Sequence, residues 1–376
     1  MIRARTFFAS VFSGASRGAR PLGTLRPIVA FGALAGFAAA VVGASCSPNS
    51  VCKLAGPIND PSNRTLRRSI MSFGLGQFCE QMVVRNAPLK LAPDASVVGR
   101  FFPQHCMQQV LDNGDLWVHL DGIGYAFINP ARRVGFASGA TIQYNQDFKC
   151  ADDNSIYAYF DTRSVTQSSF DLRSIEQPVA NLVQGWIKPF ADSFGQQMVS
   201  GKVAQGFTVI QGDDGSVDFD LGHLPLASRP VHPMQLHGSN RQLWESQRTE
   251  VHTGERDYVG PIVVPDGNRA IYLTMKLDGQ SAVAVLLVTK ADGDASLDGS
   301  VRGAAIPVVA NAPRFSDQLV YAAPYERAVP VPAGMYYLVI DNTTPPGVPR
   351  PVLPAPLGLI DGEAVVSYAI QIGDAP

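Results

Sequence analysis

No acidic residue occurs before Asp60, and no cysteine follows Cys150. Charged residues of both signs make up only 16% of the chain, against ~25% in an ordinary globular protein. The formal charge of −2 leaves no basic footprint of the kind that nucleic-acid binding requires, so no nucleic-acid partner is expected. What the chain has in place of charge is turn and sheet formers. Its 35 glycines and 28 prolines, set among Val, Ala, Tyr and Phe, predict many short strands joined by tight turns.

The acid-free start carries Arg3, Arg5, Arg17, Arg20 and Arg26, then an apolar run from Ile28 to Ser45, then Cys46. A cationic segment, an apolar segment and small residues at its end have the build of an export signal, so residues 1–45 are expected to be a signal peptide. Gly43-Ala44-Ser45-Cys46 resembles a bacterial lipobox, with Gly43 where that motif usually carries an aliphatic residue. The resemblance implies that Cys46 is lipidated with diacylglycerol and becomes the mature N-terminus. Ser47 after the cysteine, rather than Asp, implies delivery to an outer membrane. Two other outcomes stay open. Cutting after Ala44 would leave a secreted or periplasmic soluble protein, and an uncut run would be an anchor shorter than the ~20 apolar residues that span a bilayer comfortably.

With Cys46 lipidated, Cys52, Cys79, Cys106 and Cys150 remain. Four is an even set, suited to two disulfides in an oxidising compartment. Of the three possible connectivities, Cys52–Cys79 with Cys106–Cys150 is the expected one. A reactive thiol at Cys106, beside His105, is the disfavoured alternative, because catalytic pairs need spatial rather than sequence adjacency.

Residues 46–62 are polar and proline-broken and are expected to form a tether. Residues 63–224 read as an α+β domain. Ser62 or Asn63 can cap a helix running to about Arg85, with Leu66, Ile70, Phe73, Phe78 and Met82 on one side. From Pro88 to Asp161 the period becomes two, predicting a meander of about six strands at 97–102, 116–120, 125–128, 133–137, 141–148 and 156–160. Asp112-Asn113-Gly114-Asp115 is its strongest hairpin signal. A long helix is then expected over 175–199. Its apolar face carries Ile175, Val179, Leu182, Val183, Trp186, Ile187, Phe190, Phe194 and Met198, broken by Pro189. A hairpin, 206–210 with 217–221, closes the domain. The expected fold class is thus α+β: an antiparallel sheet packed by two helices, followed by an all-β sandwich or jelly-roll domain.

Residues 225–256 are rich in Pro, His, Gln and Ser and are expected to link the two domains. Residues 257–376 carry strand-like segments at 258–264, 269–277, 282–289, 301–309, 318–322, 327–331, 335–341 and 364–372. The run Val331-Pro332-Ala333-Gly334-Met335-Tyr336-Tyr337-Leu338 resembles a strand of the pre-peptidase C-terminal type of accessory β-sandwich. That resemblance implies a non-catalytic binding or stabilising module.

No motif for chemistry survives inspection. Gly14-Ala15-Ser16-Arg17-Gly18 matches a nucleophile elbow but lies in the leader, without a strand before it. Gly195 to Lys202 misses the P-loop spacing and has Val203 where Ser or Thr must hold magnesium. His223, His232, His237 and His252, with Glu245 and Glu250, lack the tight spacing of a structural zinc site. Asp292-Gly293-Asp294-Ala295-Ser296-Leu297-Asp298 alternates oxygens as calcium loops do but lacks their sixth-position glycine, and it reads as an acidic turn. No metal, no cofactor and no catalytic residue are expected. The expected function is that of a non-catalytic envelope lipoprotein. The lipid anchor would hold it to the membrane, and the sandwich would contact an envelope protein or glycan. The alternatives are a lipid carrier using the 175–199 face and a secreted hydrolase whose residues carry no signature.

Overall fold

A computed structural model of the chain describes residues 48–66, 68, 79, 83, 86–90, 95–128, 132–176, 206–211, 217–221, 223–230, 232–236, 238, 240–304, 313–343 and 363–376. Strands account for 62% of the described residues and helices for 11%, which overturns the α+β expectation. The chain is mostly β. The helix expected over 63–85 is seen only in part, its middle lying outside the described residues. The helix expected over 175–199 lies outside them as well, except for Ile175, which ends a strand and pairs with Val134, and Glu176, which follows it.

Four long strands replace the six-stranded meander: β2 (Val97–Val110), β3 (Leu116–Ile128), β4 (Arg132–Cys150) and β5 (Ile156–Ile175). The short β1 (Ala87–Lys90) pairs with β2. Glycine within these strands marks points of close approach. At Gly135, within β4, a Cβ would stand 1.9 Å from the Val301 carbonyl oxygen, so only glycine lets that carbonyl dock on the strand. The β2–β3 turn forms as its sequence predicts, with Gly114 at φ 85° and the Asp115 N–H donating to Asn113 Oδ1 at 3.0 Å.

Beyond β5 come β6 (Phe207–Gln211), β7 (Val217–Leu221), β8 (Gln242–His252), β9 (Arg256–Val264), β10 (Arg269–Asp278), β11 (Ala282–Thr289), β12 (Phe315–Val320), β13 (Tyr325–Pro330), β14 (Gly334–Asp341) and β15 (Glu363–Asp374). One eleven-stranded sheet runs β13-β10-β15-β8-β2-β3-β4-β5-β6-β7, with β1 beside β2; a four-stranded sheet runs β12-β11-β14-β9. The 225–256 stretch, expected as a linker, supplies β8. That strand joins the two parts of the large sheet through a parallel contact, Val97 opposite Thr249.

The β13-β10-β15-β8 end of the large sheet and the four-stranded sheet enclose a sandwich core of Val259, Val285, Leu338, Leu273, Val366, Ile370 and their neighbours. The far face of the small sheet is buried too. Tyr258, Val288, Tyr337 and Val339 meet Phe102, Tyr125 and Phe127 of the meander and Leu297 and Val301 of a helix over Lys290–Val301. Two buried faces explain why Ala282–Thr289 and Met335–Ile340 read as continuous apolar runs rather than alternations.

That helix, α2 once α1 (Pro48–Asn59) is counted, stands where an acidic turn was expected. Thr289 caps it, its side chain accepting from the Asp292 N–H. The Thr-x-x-Asp spacing was its legible signal. Gly293 and Gly299 hid it by lowering helix propensity.

Candidate functional site

Cys46, the expected lipidation residue, lies outside the described residues. The four cysteines after it form two disulfides, Cys52–Cys150 and Cys79–Cys106. The expected pairing is corrected on register grounds. Cys106 pairs across with Leu120, and Leu120 with Ala140, so β3 lies between β2 and β4. Cys150 is a further ten positions along β4, about 33 Å, far beyond the ~7 Å Cα limit for a bridge. The consequence for the expected tether is direct. Residues Pro48–Asn59 form a helix that Cys52 clamps to the end of β4, and Asn59 secures it further by donating to the Phe148 carbonyl at 2.7 Å.

Where β2, β3, β8, β9 and β15 meet, one side chain organises the junction. Arg100 follows the apolar parity of β2 and is wholly buried at 0% exposure. All five of its N–H groups find acceptors. Nε and Nη2 reach the two Asp257 oxygens at 2.7 and 2.8 Å. Nη1 reaches Asn86 Oδ1 at 2.9 Å and Glu245 Oε1 at 3.1 Å, and Nη2 also meets the Tyr368 hydroxyl at 2.9 Å. Asp257 accepts in addition from the Tyr125 hydroxyl at 2.5 Å and has Thr249 Oγ1 at 2.9 Å. Burial opposes ionisation of both partners. The paired charge outweighs it, holding Asp257 below the usual carboxylate range and Arg100 well above the usual guanidinium value. Burial, then the nearby Asp257 charge, raises Tyr125, so its phenol stays protonated and donates. This is a bidentate, fully satisfied pin between the meander and the sandwich. It holds the parts together from within, with Arg100, Asp257 and Tyr368 all buried.

A second buried group lies where the β5 end meets the β8–β9 turn. Glu255 is 2% exposed and 3.0 Å from Arg133 Nη1, and it is hydrogen-bonded to Glu176, which sits 3.3 Å from Arg132. Burial first, and the hydrogen bond to Glu176 second, push Glu255 up to about 8. The native state therefore keeps a proton that the unfolded chain releases near its ordinary value of 4.5. Between those values the folded form binds more protons, so stability falls as pH rises, by up to ~1.4 kcal/mol per pH unit. Urea midpoints should drop between about pH 5 and about pH 8, and Glu255→Gln should flatten that slope. An unchanged slope in the variant would assign the effect elsewhere.

The face of the meander opposite Leu116, Val118 and Leu120 carries the exposed chemistry. Trp117 and His119 stack at 6.3 Å and 17°. His119 Nδ1 is 2.8 Å from Thr141 Oγ1 and its Nε2 is 3.8 Å from Asp121. Asp121 in turn meets His105 Nδ1 at 2.8 Å, with His105 76% exposed. The hydroxyl–imidazole–carboxylate order resembles a nucleophile triad but lacks its geometry. The carboxylate is beyond hydrogen-bond distance of the ring, and Thr141 is only 4% exposed. The arrangement can orient an imidazole and present a flat aromatic strip bordered by polar groups.

Of the four histidines considered as metal ligands, His223 and His252 turn to other groups. His223 stacks on Tyr159 and pairs with Asp161, His252 faces Glu363 and Phe127, and His237 lies outside the described residues. Among the described residues no group of three or more His, Cys, Asp or Glu side chains is arranged to hold a metal ion, and no helix is long and apolar enough to cross a membrane. Asp292 and Asp294 serve α2, the former at its first turn and the latter accepting from Tyr337. Sequence reasoning missed the Arg100 pin; its one signal was an arginine at a core-facing position of Val97–Phe102. No family model matches the chain, and no curated protein matches it.

Proposed function

We propose that this protein is a non-catalytic lipoprotein of the cell envelope, acylated at Cys46 and held at the outer membrane. Its contact with an envelope glycan would be made through the Trp117–His119 strip. The observation that carries the reading is the pairing of all four cysteines beyond Cys46 into disulfides, which persist in an oxidising compartment and not in a reducing cytosol. The position of Cys52 adds to it. Only six positions separate it from Cys46, and those from Pro48 on are helical, so the leash to Cys52 is at most about 13 Å and the folded part would stand against the lipid surface rather than far above it. Trp117 then lies seven positions along the strand from the Cys150 end, about 23 Å away. A flat aromatic strip with Asp121, Gln143 and histidine around it suits the apolar face and hydroxyl edge of a sugar ring. The sandwich is less suited to that contact than its sequence implied, since both faces of its small sheet are covered.

Metabolic labelling with radioactive palmitate tests the anchor, and co-sedimentation of the detergent-extracted protein with insoluble cell-wall glycan tests the contact. The expected results are a label lost in Cys46→Ser and sedimentation lost in Trp117→Ala. An unlabelled protein trimmed after Ala44 would replace the anchor by plain secretion. Sedimentation unchanged in Trp117→Ala would remove the glycan strip.

A further inference from the structure

The end of the β4–β5 hairpin carries a feature that acylation alone does not use. Pro225 to Ser228 form a tight turn, closed by the Ser228 N–H donating to the Pro225 carbonyl at 2.9 Å. Ala227 is held at φ 66°, a left-handed conformation uncommon for a residue with a Cβ. The turn is fixed at its base on every side. Tyr157 donates its hydroxyl to the Ser228 carbonyl at 3.0 Å, and Arg229 Nη2 reaches Ser155 Oγ at 2.6 Å. The Leu224 N–H donates to Thr208 Oγ1 at 3.1 Å, and the Leu224 side chain joins the Tyr157, Tyr159 and Ile210 cluster. Pro225, Leu226 and Ala227 nevertheless remain exposed, Leu226 at 45%.

A lone exposed leucine needs no explanation. This one sits in a contiguous apolar triplet on a turn that is already rigid, so burying it would cost little ordering entropy. Its address is the stronger point. Ser155 and Tyr157, which hold the turn, flank Ile156, and Ile156 pairs with Cys150. Cys150 is bonded to Cys52, six positions from Cys46. The turn and the acylated residue are thereby leashed to the same end of one hairpin. We propose that Pro225–Ala227 is a membrane-docking tip, with Leu226 inserting into the lipid surface beside the acyl anchor. The inference takes its partner from the anchoring reading. Lys149 and Arg229, the cations at this end of the hairpin, are paired with Asp147 and Asp153, and His223 meets Asp161. Docking is therefore apolar, suits zwitterionic lipid, and is insensitive to salt, unlike attachment through a polybasic segment.

The test separates the tip from acylation. The mature chain from residue 46, with Cys46→Ser and an N-terminal hexahistidine, is tethered to phosphatidylcholine vesicles bearing nickel-chelating lipid, so presentation does not depend on acylation in the cell. An environment-sensitive fluorophore is placed at Leu226→Cys or, as a control on the sandwich, at Lys276→Cys. Blue-shifted emission and quenching by spin-labelled lipid are expected at 226 and not at 276, unchanged by added salt. Equal, water-like emission at both positions would overturn the tip while leaving palmitate labelling of the native protein to decide the anchor. Blue-shifted emission at both positions, which would indicate general collapse onto lipid, also overturns it.

Discussion

Replacing Asp257 by alanine is expected to lower the unfolding free energy by about 3–5 kcal/mol, the cost of stranding a buried charge without its partner. The size of the effect follows from Arg100, which is buried and gives two of its N–H groups to Asp257. Removing the carboxylate leaves that guanidinium with Glu245, Asn86 and Tyr368, and it strips the Tyr125 hydroxyl of its acceptor. Urea unfolding of the variant checks the magnitude. Arg100→Met combined with Asp257→Leu is the informative control, because a well-packed apolar pair removes both charges and should recover most of the loss. A single-variant loss below about 1 kcal/mol would mean that the junction relaxes enough to let water reach Arg100, and that the other contacts between the two parts, those of Phe102, Tyr258 and Tyr337 among them, hold them together.

The second large effect concerns Cys52–Cys150, which spans 98 positions against 27 for Cys79–Cys106. In the chain-entropy account, closing those loops is worth about 4.7 and about 3.6 kcal/mol respectively. Replacing Cys52 and Cys150 together by serine should therefore destabilise more than the same treatment of Cys79 and Cys106, read as the shift in urea midpoint. A reversed order would mean that residual structure in the unfolded chain, rather than loop length, sets the cost. The same double variant has a second consequence. Without the clamp, the hydrogen bonds between Asn59 and Phe148 and the buried Ile58 still hold α1. Peptide mapping under non-reducing conditions checks the pairing itself.

Both effects rest on contacts between residues remote in sequence, and that is where sequence reading stopped. Most strands of 97–160 and 258–372 were visible because each is a local alternation or a short apolar run between turn residues; the one expected over 301–309 was not borne out at its start, where Val301 ends α2. Asn113-Gly114 was visible because positive φ is a property of those residues themselves. The six-stranded meander became four strands because Gly122 and Gly139 punctuate a sequence, while in the sheet β3 and β4 run on through them and Gly122 lets the Phe102 backbone approach. The linker became β8 because Glu363–Asp374 offers it a partner more than a hundred residues later. The role of Arg100 was not legible, since nothing within its own strand announces an aspartate 157 positions away.

The amino-acid order by itself determined the acid-free stretch with its apolar run before Cys46, the even set of four cysteines beyond it, the low charge, and the positions of most strands. These depend on composition and on periods of a few residues, which the chain carries wherever it folds. The tertiary structure alone decided that the fold is mostly β, that Cys52 joins Cys150, that one sheet runs through meander and sandwich alike, and that Arg100 and Asp257 close the junction between them. Those outcomes depend on strand register and on which faces meet, and such pairings gain their energy only after the entropy of bringing distant segments together has been overcome.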